Sequence, residues 1–195
     1  MAARKRVGVL ALQGDFEAHG RALEKAGAHV EYVRKAEQLK QIDGLVLPGG
    51  ESTTMLKLLN LEQMMGPLGE FAREKPVLAT CAGVILMARE VSNPVQESLG
   101  ILDLAVERNG YGRQIDSRIV DLDPSTDFQQ RAGAGKLEAV FIRAPVIHKI
   151  GPNSKVLASY LEHPVLVEQG RHLAATFHPE LTADSRVHKL FVDTL

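Results

Sequence analysis

Three side chains of complementary chemistry stand out in the 195 residues: the thiol of Cys81, the imidazole of His178 and the carboxylate of Glu180. A base that is oriented by a third group and acts on a thiol is the general arrangement for nucleophilic catalysis, in which a covalent intermediate divides one hard step into two easier ones. Cys81 lies in the stretch VLATCAGVILMA, residues 77–88, where one apolar run stops at Thr80 and another begins after small residues. That pattern predicts a buried strand turning sharply into a helix with Cys81 at the corner. Ala79, Ala82 and Gly83 leave room for so tight a turn. The free N–H groups and positive end of the helix would face the sulfur and favour its thiolate. A lone cysteine also serves as a small buried hydrophobe; the corner is what argues for a nucleophile.

The base comes from Thr176-Phe177-His178-Pro179-Glu180. Pro179 biases His178 towards an extended backbone, in which residues two apart point to the same side. Glu180 can then hold the imidazole. The commoner meaning of a His-Pro-Glu triplet is a turn with a surface ion pair. A third constellation is LPGGEST, residues 47–53. Glycines at a strand end let backbone approach a ligand, and their N–H groups can donate to a developing oxyanion. Gly50 with the N–H of Ala82 would make a two-donor oxyanion hole; the simpler alternative is a tight turn with Ser52 or Thr53 as helix cap. Two further stretches have possible ligand roles. ERNGYGRQ, residues 107–114, is dense in charge and glycine, and FIRAP, residues 141–145, puts Arg143 inside an apolar run. A buried arginine is costly unless paired, and the spacing alone favours an internal ion pair with a carboxylate. His19, His29, His148, His163, His172 and His188 suggest no partners, and surface or helix-face placement is expected for them.

The elements needed to position these groups are legible in order. Residues 6–12 are apolar nearly throughout, as in a strand covered on both faces, and Asp15 can cap a helix over 16–26. Strands are expected at 29–33, 44–47 and 77–80, with helices at 35–42, 53–59, 67–74 and 82–88. This alternation argues for an α/β fold of three layers with a mostly parallel sheet. In such sheets the site lies beyond the carboxyl ends of the strands, where Gln13, Gly49, Gly50 and Cys81 all fall. The second half offers short strands at 104–107, 114–122, 139–143, 155–160, 165–168 and 173–177, with a hairpin turn near 168–171. Residues 123–135 read as a polar, mobile loop, and a closing helix spans 184–195, with Val187, Leu190 and Phe191 on one face.

Length fits one domain spanning 1–195. A formal net charge of -1 gives no reason to expect nucleic acid or an anionic membrane as partner. No apolar run approaches the ~20 residues of a membrane span, and the short N-terminal run makes a signal peptide unexpected. A single cysteine suits a reducing cytoplasm. The scattered histidines offer no metal-ligand spacing.

With these residues in view, the chain resembles the class I (triad) glutamine amidotransferases, and within them the glutaminase subunits of pyridoxal 5'-phosphate synthases. The resemblance rests on residues 8–14, 47–54, 80–83, 108–114, 141–145 and 177–182, which span nearly the whole chain. The elbow and His-Pro-Glu specify only the broad class, whereas 108–114 and 141–145 point to the vitamin B6 branch. The resemblance implies a flavodoxin-like sheet flanked by helices, with added antiparallel strands. It implies hydrolysis of L-glutamine to L-glutamate and ammonia by Cys81, His178 and Glu180. The ammonia would pass to a separate synthase subunit, a hetero-oligomeric partner that builds pyridoxal 5'-phosphate from a pentose phosphate and a triose phosphate. Substrate-binding positions of the family fall on Gly50, Glu51, Ser52, Arg108, Ile142 and Arg143, and no cofactor or metal is implied. Ala79, where the family often has glycine, and Arg118, where an aromatic is usual, depart from the pattern away from the triad. Two other readings stay open: a glutaminase of the same fold serving another acceptor, such as a histidine-pathway enzyme, and a non-enzymatic cysteine redox sensor or chaperone.

Overall fold

A computed structural model describes residues 4–110 and 117–195. The apolar runs of the first half form parallel strands β1 (Arg6–Leu10), β2 (His29–Val33), β3 (Gly44–Leu47) and β4 (Val77–Thr80). Between and after them run helices α1 (Phe16–Lys25), α2 (Ser52–Leu61), α3 (Met65–Glu74) and α4 (Ala82–Met87). The expected helix after β2 is a 3-10 segment, Ala36–Gln41. In the second half lie β5 (Ala88–Ser92), β6 (Leu102–Glu107), β7 (Ser117–Leu122), α5 (Thr126–Ala132), β8 (Leu137–Ile142) and β9 (Val146–Ile150). β10 (Ser154–Tyr160), β11 (His163–Gln169), β12 (His172–Ala175) and α6 (Arg186–Asp193) follow. Residues 114–116 of the strand expected at 114–122, like the rest of 111–116, lie outside the described residues.

The main sheet has seven strands in the order β10-β11-β12-β4-β3-β1-β2. β12, β4, β3, β1 and β2 are parallel, and β10 and β11 extend the edge as an antiparallel pair. The strand β12, from the far end of the chain, therefore lies beside β4. Two smaller sheets, β5-β6-β9 and β7-β8, carry the remaining strands. Alternation along the strands gives the main sheet two apolar faces. Leu10, Leu45, Leu47 and Ala79 meet Met55, Leu59, Leu68 and Phe71 of α2 and α3 on one side. Val7, Val9, Val46 and Leu78 meet Leu23, Val187, Leu190 and Phe191 of α1 and α6 on the other. A sheet covered on both faces is why its strands read as continuous apolar runs rather than alternating ones. Among the described residues no helix is long and apolar enough to cross a membrane.

The expected mobile loop at 123–135 is wrong for most of its length, because it contains α5. The Ser125 side chain accepts from the Phe128 N–H at 3.2 Å, capping the first turn. Arg131 ties the helix to Glu168 of β11 at 2.6 Å. Phe128 is fully buried in the same apolar layer as Val187 and Phe191. Replacing Phe128 with alanine is expected to cost about 3–5 kcal/mol, read as a lower urea midpoint; a loss under ~1 kcal/mol would make α5 peripheral to the core. Strands β5 and β9 were also not expected.

Candidate active site

Gln13, Gly49-Gly50 and Cys81 follow β1, β3 and β4, so three parallel strands deliver the groups to one edge of the sheet. The ladder runs right up to the thiol: the Cys81 N–H donates to Ala175 O on β12 at 2.8 Å. The chain then breaks direction. Cys81 has φ 46°, ψ -105°, a left-handed conformation that non-glycine residues seldom adopt and that costs of order 1–3 kcal/mol. The expected corner is thus present, and it presses close to β3. A Cβ on Gly83 would lie 2.3 Å from Leu47 O, so only glycine lets α4 start there.

His178 enters on the far side of the same corner. Its N–H donates to Val140 O of β8 at 2.8 Å, and its Nδ1 lies 2.7 Å from Glu180 Oε1. The Glu180 side chain is wholly shielded from solvent. The two side chains meet as expected, but by another route: the chain leaves His178 for a 3-10 turn, Pro179–Leu181, rather than continuing extended. Gly49 keeps the space open, because a Cβ there would stand 2.4 Å from His178 Cε1 and 3.2 Å from Cys81 Cβ. Burial alone would push the His178 pKa down, but the hydrogen bonds with Cys81 and then Glu180 favour the imidazolium and lift it to about 10.

A cavity of about 240 Å³ opens onto this corner, small against the ~300–1,000 Å³ of drug-sized pockets and suited to a single amino acid. Its walls include Cys81, His178, Gly50, Glu51, Ser52, Ala82, Arg108, Ile142 and Arg143, while Glu180 stands behind His178. Of the stretch 107–114, Arg108 and Asn109 reach the wall, and 111–114 lie outside the described residues. The Cys81 thiol also donates to the Ile142 carbonyl, at 4.0 Å.

Several expectations change here. The cap of α2 is neither Ser52 nor Thr53 but Glu51, whose carboxylate accepts from Thr53 N at 3.2 Å and Thr54 N at 2.7 Å. Desolvation raises the Glu51 pKa, yet those Thr54 and Thr53 bonds outweigh it and leave the group below its usual range. Ser52 instead donates to Gln96 Oε1 at 2.9 Å. Arg108 already holds Thr53 Oγ1 at 2.8 Å and stands 3.5 Å from Glu51. Arg143 is not an internal ion pair: it lies just past the end of β8, exposed, at φ 43°, with no ion-pair partner among the described residues. The Asp15 side chain makes no capping bond to α1. It lines the cavity instead, and ligand atoms of Asp15, His178 and Glu180 lie within 4.8 Å of one another. That acid read as a helix cap because aspartate before a helix usually is one. The trio is the one metal-capable set among the described residues, but its histidine and glutamate are already bonded to each other. His19, His172 and His188 are buried, contrary to the expected surface placement, and His148 pairs with Glu107 at 2.5 Å.

Gln13 links the first two loops. Its amide donates to Glu51 O at 3.3 Å and accepts from Glu51 N at 3.4 Å, so one side chain grips the backbone immediately after Gly50. The backbone donors at Gly50 and Ala82 therefore border the same cavity as the thiol, on supports drawn from different strands. What such an arrangement can do chemically is attack a carbonyl with sulfur, stabilise the oxyanion and protonate the leaving group.

Residues 9–195 match the model of the SNO glutamine amidotransferase family. A protein of Solibacter usitatus (strain Ellin6076) named "Pyridoxal 5'-phosphate synthase subunit PdxT" is 62% identical over 191 residues, covering 98% of this chain and all of its own. One of the same name from Koribacter versatilis (strain Ellin345) is 54% identical, covering 96% of this chain and 94% of its own. A solved structure titled "Crystal structure of glutamine amidotransferase" superposes with a TM-score of 0.87 at 43% identity, covering 96% of this chain and 97% of that one. The structure of PurLQS from Thermotoga maritima, with a TM-score of 0.72 at 19% identity over 98% of this chain and 99% of that one, shows likeness of fold alone.

Proposed function

The chain belongs to the SNO glutamine amidotransferase family, and on that footing we propose that it hydrolyses L-glutamine to L-glutamate and ammonia at Cys81 and passes the ammonia to the synthase subunit of a pyridoxal 5'-phosphate synthase. The observation that carries the site is the alignment of a strained cysteine corner with a histidine bonded at 2.7 Å to a buried glutamate. The relatives' name supplies the synthase.

The geometry supports the following sequence of steps. His178 holds its proton in the resting site, its imidazolium favoured by Cys81 and Glu180. The sulfur attacks the side-chain amide carbon of glutamine, and the oxyanion rests on the N–H groups of Gly50 and Ala82. His178 gives its proton to the departing ammonia. Water then cleaves the glutamyl thioester with His178 as base. Glu180 fixes the ring so that Nε2 is free for both transfers. Gly50, Glu51, Ser52, Arg108, Ile142 and Arg143 hold the substrate. Between the two arginines, Arg143 has no ion-pair partner among the described residues, whereas Arg108 is already committed to Thr53. Arg143→Met is expected to raise KM for glutamine about 10–100-fold, the worth of one charge-assisted bond, with kcat changed far less. An unchanged KM would hand the substrate carboxylate to Arg108.

Residues 1–195 act as one glutaminase domain in this reading, consistent with a main sheet built from both halves of the chain. The reading also places it in the cytoplasm, where a lone thiol stays reduced. The test of the whole assignment uses amide-labelled [15N]glutamine, with the synthase subunit and its pentose and triose phosphates. Label is expected in the ring nitrogen of the product. Glutamine turnover without label in that product would point to a different acceptor, and a failure of a glutamine-like electrophile to modify Cys81 would remove the glutaminase assignment itself.

A further inference from the structure

Behind Glu180 lies a pair of imidazoles that the mechanism above does not use. His19 of α1 and His188 of α6 are both fully buried. His19 Nδ1 is 2.9 Å from His188 Nε2, and His19 Nε2 is 3.1 Å from Thr80 Oγ1 and 3.2 Å from Glu180 Oε2. Burial, then repulsion from His188 and His178, holds His19 well below its ordinary pKa, and burial takes His188 down to about 4. Both rings are therefore neutral near pH 7, and each carries one N–H.

Only one placement of those two protons suits the neighbours. If His19 donated from Nδ1, its bare Nε2 would face a carboxylate oxygen, and His188 would bury an Nδ1–H with no acceptor, because that atom has no hydrogen-bond partner. If His188 instead donates from Nε2 to His19 Nδ1, the proton of His19 sits on Nε2. It is then aimed at Thr80 Oγ1 with Glu180 Oε2 alongside, and the atom left unpaired is a lone pair rather than a donor. Glu180 Oε2 has no hydrogen bond of its own, and its other oxygen is the one on His178. Two imidazoles are expensive to bury in place of apolar side chains, and neither touches the cavity.

We propose that His19 is a positioning residue for the triad: held by His188 in the Nε2–H form and backed by Thr80, it fixes the rotation of the Glu180 carboxylate so that Oε1 meets His178. The proposal rests on the glutaminase reading and deepens it. The groups facing His19 are Thr80 from β4, His178 and Glu180 from the segment after β12, and His188 from α6. Asp15 stands just before α1, one turn ahead of His19, and close to His178 and Glu180.

The test is steady-state glutamine hydrolysis with the synthase subunit present, comparing wild type with His19→Leu, His19→Gln, His19→Asn and Cys81→Ala across pH. Leucine removes the donor. Glutamine can place an amide N–H near the position of Nε2, and asparagine one near Nδ1. His19→Leu is expected to lower kcat roughly 10–100-fold with KM within about twofold. The limb of the pH profile governed by His178 should move to lower pH, because Glu180 then supports the imidazolium less, and the same shift should appear when Asp15→Asn is added. His19→Gln should recover kcat to within about threefold of wild type, and His19→Asn should not. A folded His19→Leu variant with wild-type kcat and pH profile overturns the proposal. Should that variant fail to fold, equal kcat for the glutamine and asparagine variants overturns it equally. Turnover surviving in Cys81→Ala would strike the glutaminase reading instead, so the two failures are distinct.

Discussion

Replacing Cys81 with alanine is expected to lower glutamine turnover by about 10⁴-fold or more, to the background of the assay, in a protein that still folds. The two halves of this result have separate causes. Loss of sulfur removes the atom that carries the glutamyl group, and neither the oxyanion donors nor a bound water can replace a covalent intermediate. The fold should survive, because alanine keeps the Cβ and meets the same left-handed backbone at φ 46°; the stability lost is what the sulfur lends the His178 imidazolium. The sulfur's hydrogen bond to Ile142 O, at 4.0 Å, is weak. Activity assays beside a thermal melt check both halves. Appreciable turnover would place the nucleophile elsewhere.

The corner itself was readable because its requirements are local. An apolar run, a cysteine and small residues within a few positions can only be satisfied by one kind of turn, and the strand ends at Gly49-Gly50 and Gln13 are marked by residues that break apolar runs. The parallel half of the sheet was legible for the same reason: β1, β3 and β4 are buried along nearly all their length and so read as apolar runs, while the edge strand β2 keeps only Val33 fully buried. α5 was not, because a seven-residue helix with one large apolar anchor, Phe128, has too little periodicity to stand out from a polar loop. β5 was hidden by Arg89 and Glu90, which lie exposed in it. The buried imidazoles were invisible for a different reason. His19 and His188 are distant in sequence, on helices that meet only after the sheet has formed, and nothing in either helix announces the other. The apolar neighbours of Arg143 suggest burial, but the strand ends one residue before it and leaves it exposed.

Changing Glu180 to glutamine has the second-largest expected effect, a fall in kcat of about 10²–10⁴, with KM for glutamine little altered. Glutamine nearly preserves the shape but removes the charge that supports the imidazolium, and it can present an N–H where His178 Nδ1 needs an acceptor. The His178 pKa, about 10 in the wild type, should therefore fall, which NMR titration of its ring proton would follow. Stability carries the same signature. A histidine whose pKa is raised on folding, here from 6.5 to about 10, contributes stability that is complete below 6.5 and is lost as pH rises through 10. Wild-type urea midpoints should decline over that window, and those of the variant should decline less. A variant with wild-type kcat and the same pH slope would take Glu180 out of the triad.

The placement of β12 beside β4 has a consequence for the order in which the molecule becomes competent. Synthesis runs from the amino end, so Cys81 and two of its three supporting loops leave the ribosome long before His178. The strands β1 to β4 can pair among themselves in the meantime, since their register needs nothing from later residues. A nascent chain at that stage holds a thiol with no base and no carboxylate. Its place for the base is the vacant edge of β4, open until β12 arrives and closes the ladder at Ala175. Docking that strand pairs residues far apart in the chain, a slow kind of contact to make, and the same event delivers His178 and Glu180. In the proposed mechanism reactivity is in this way tied to completion of the fold: glutamine is cleaved only by a chain whose last parallel strand has found its slot.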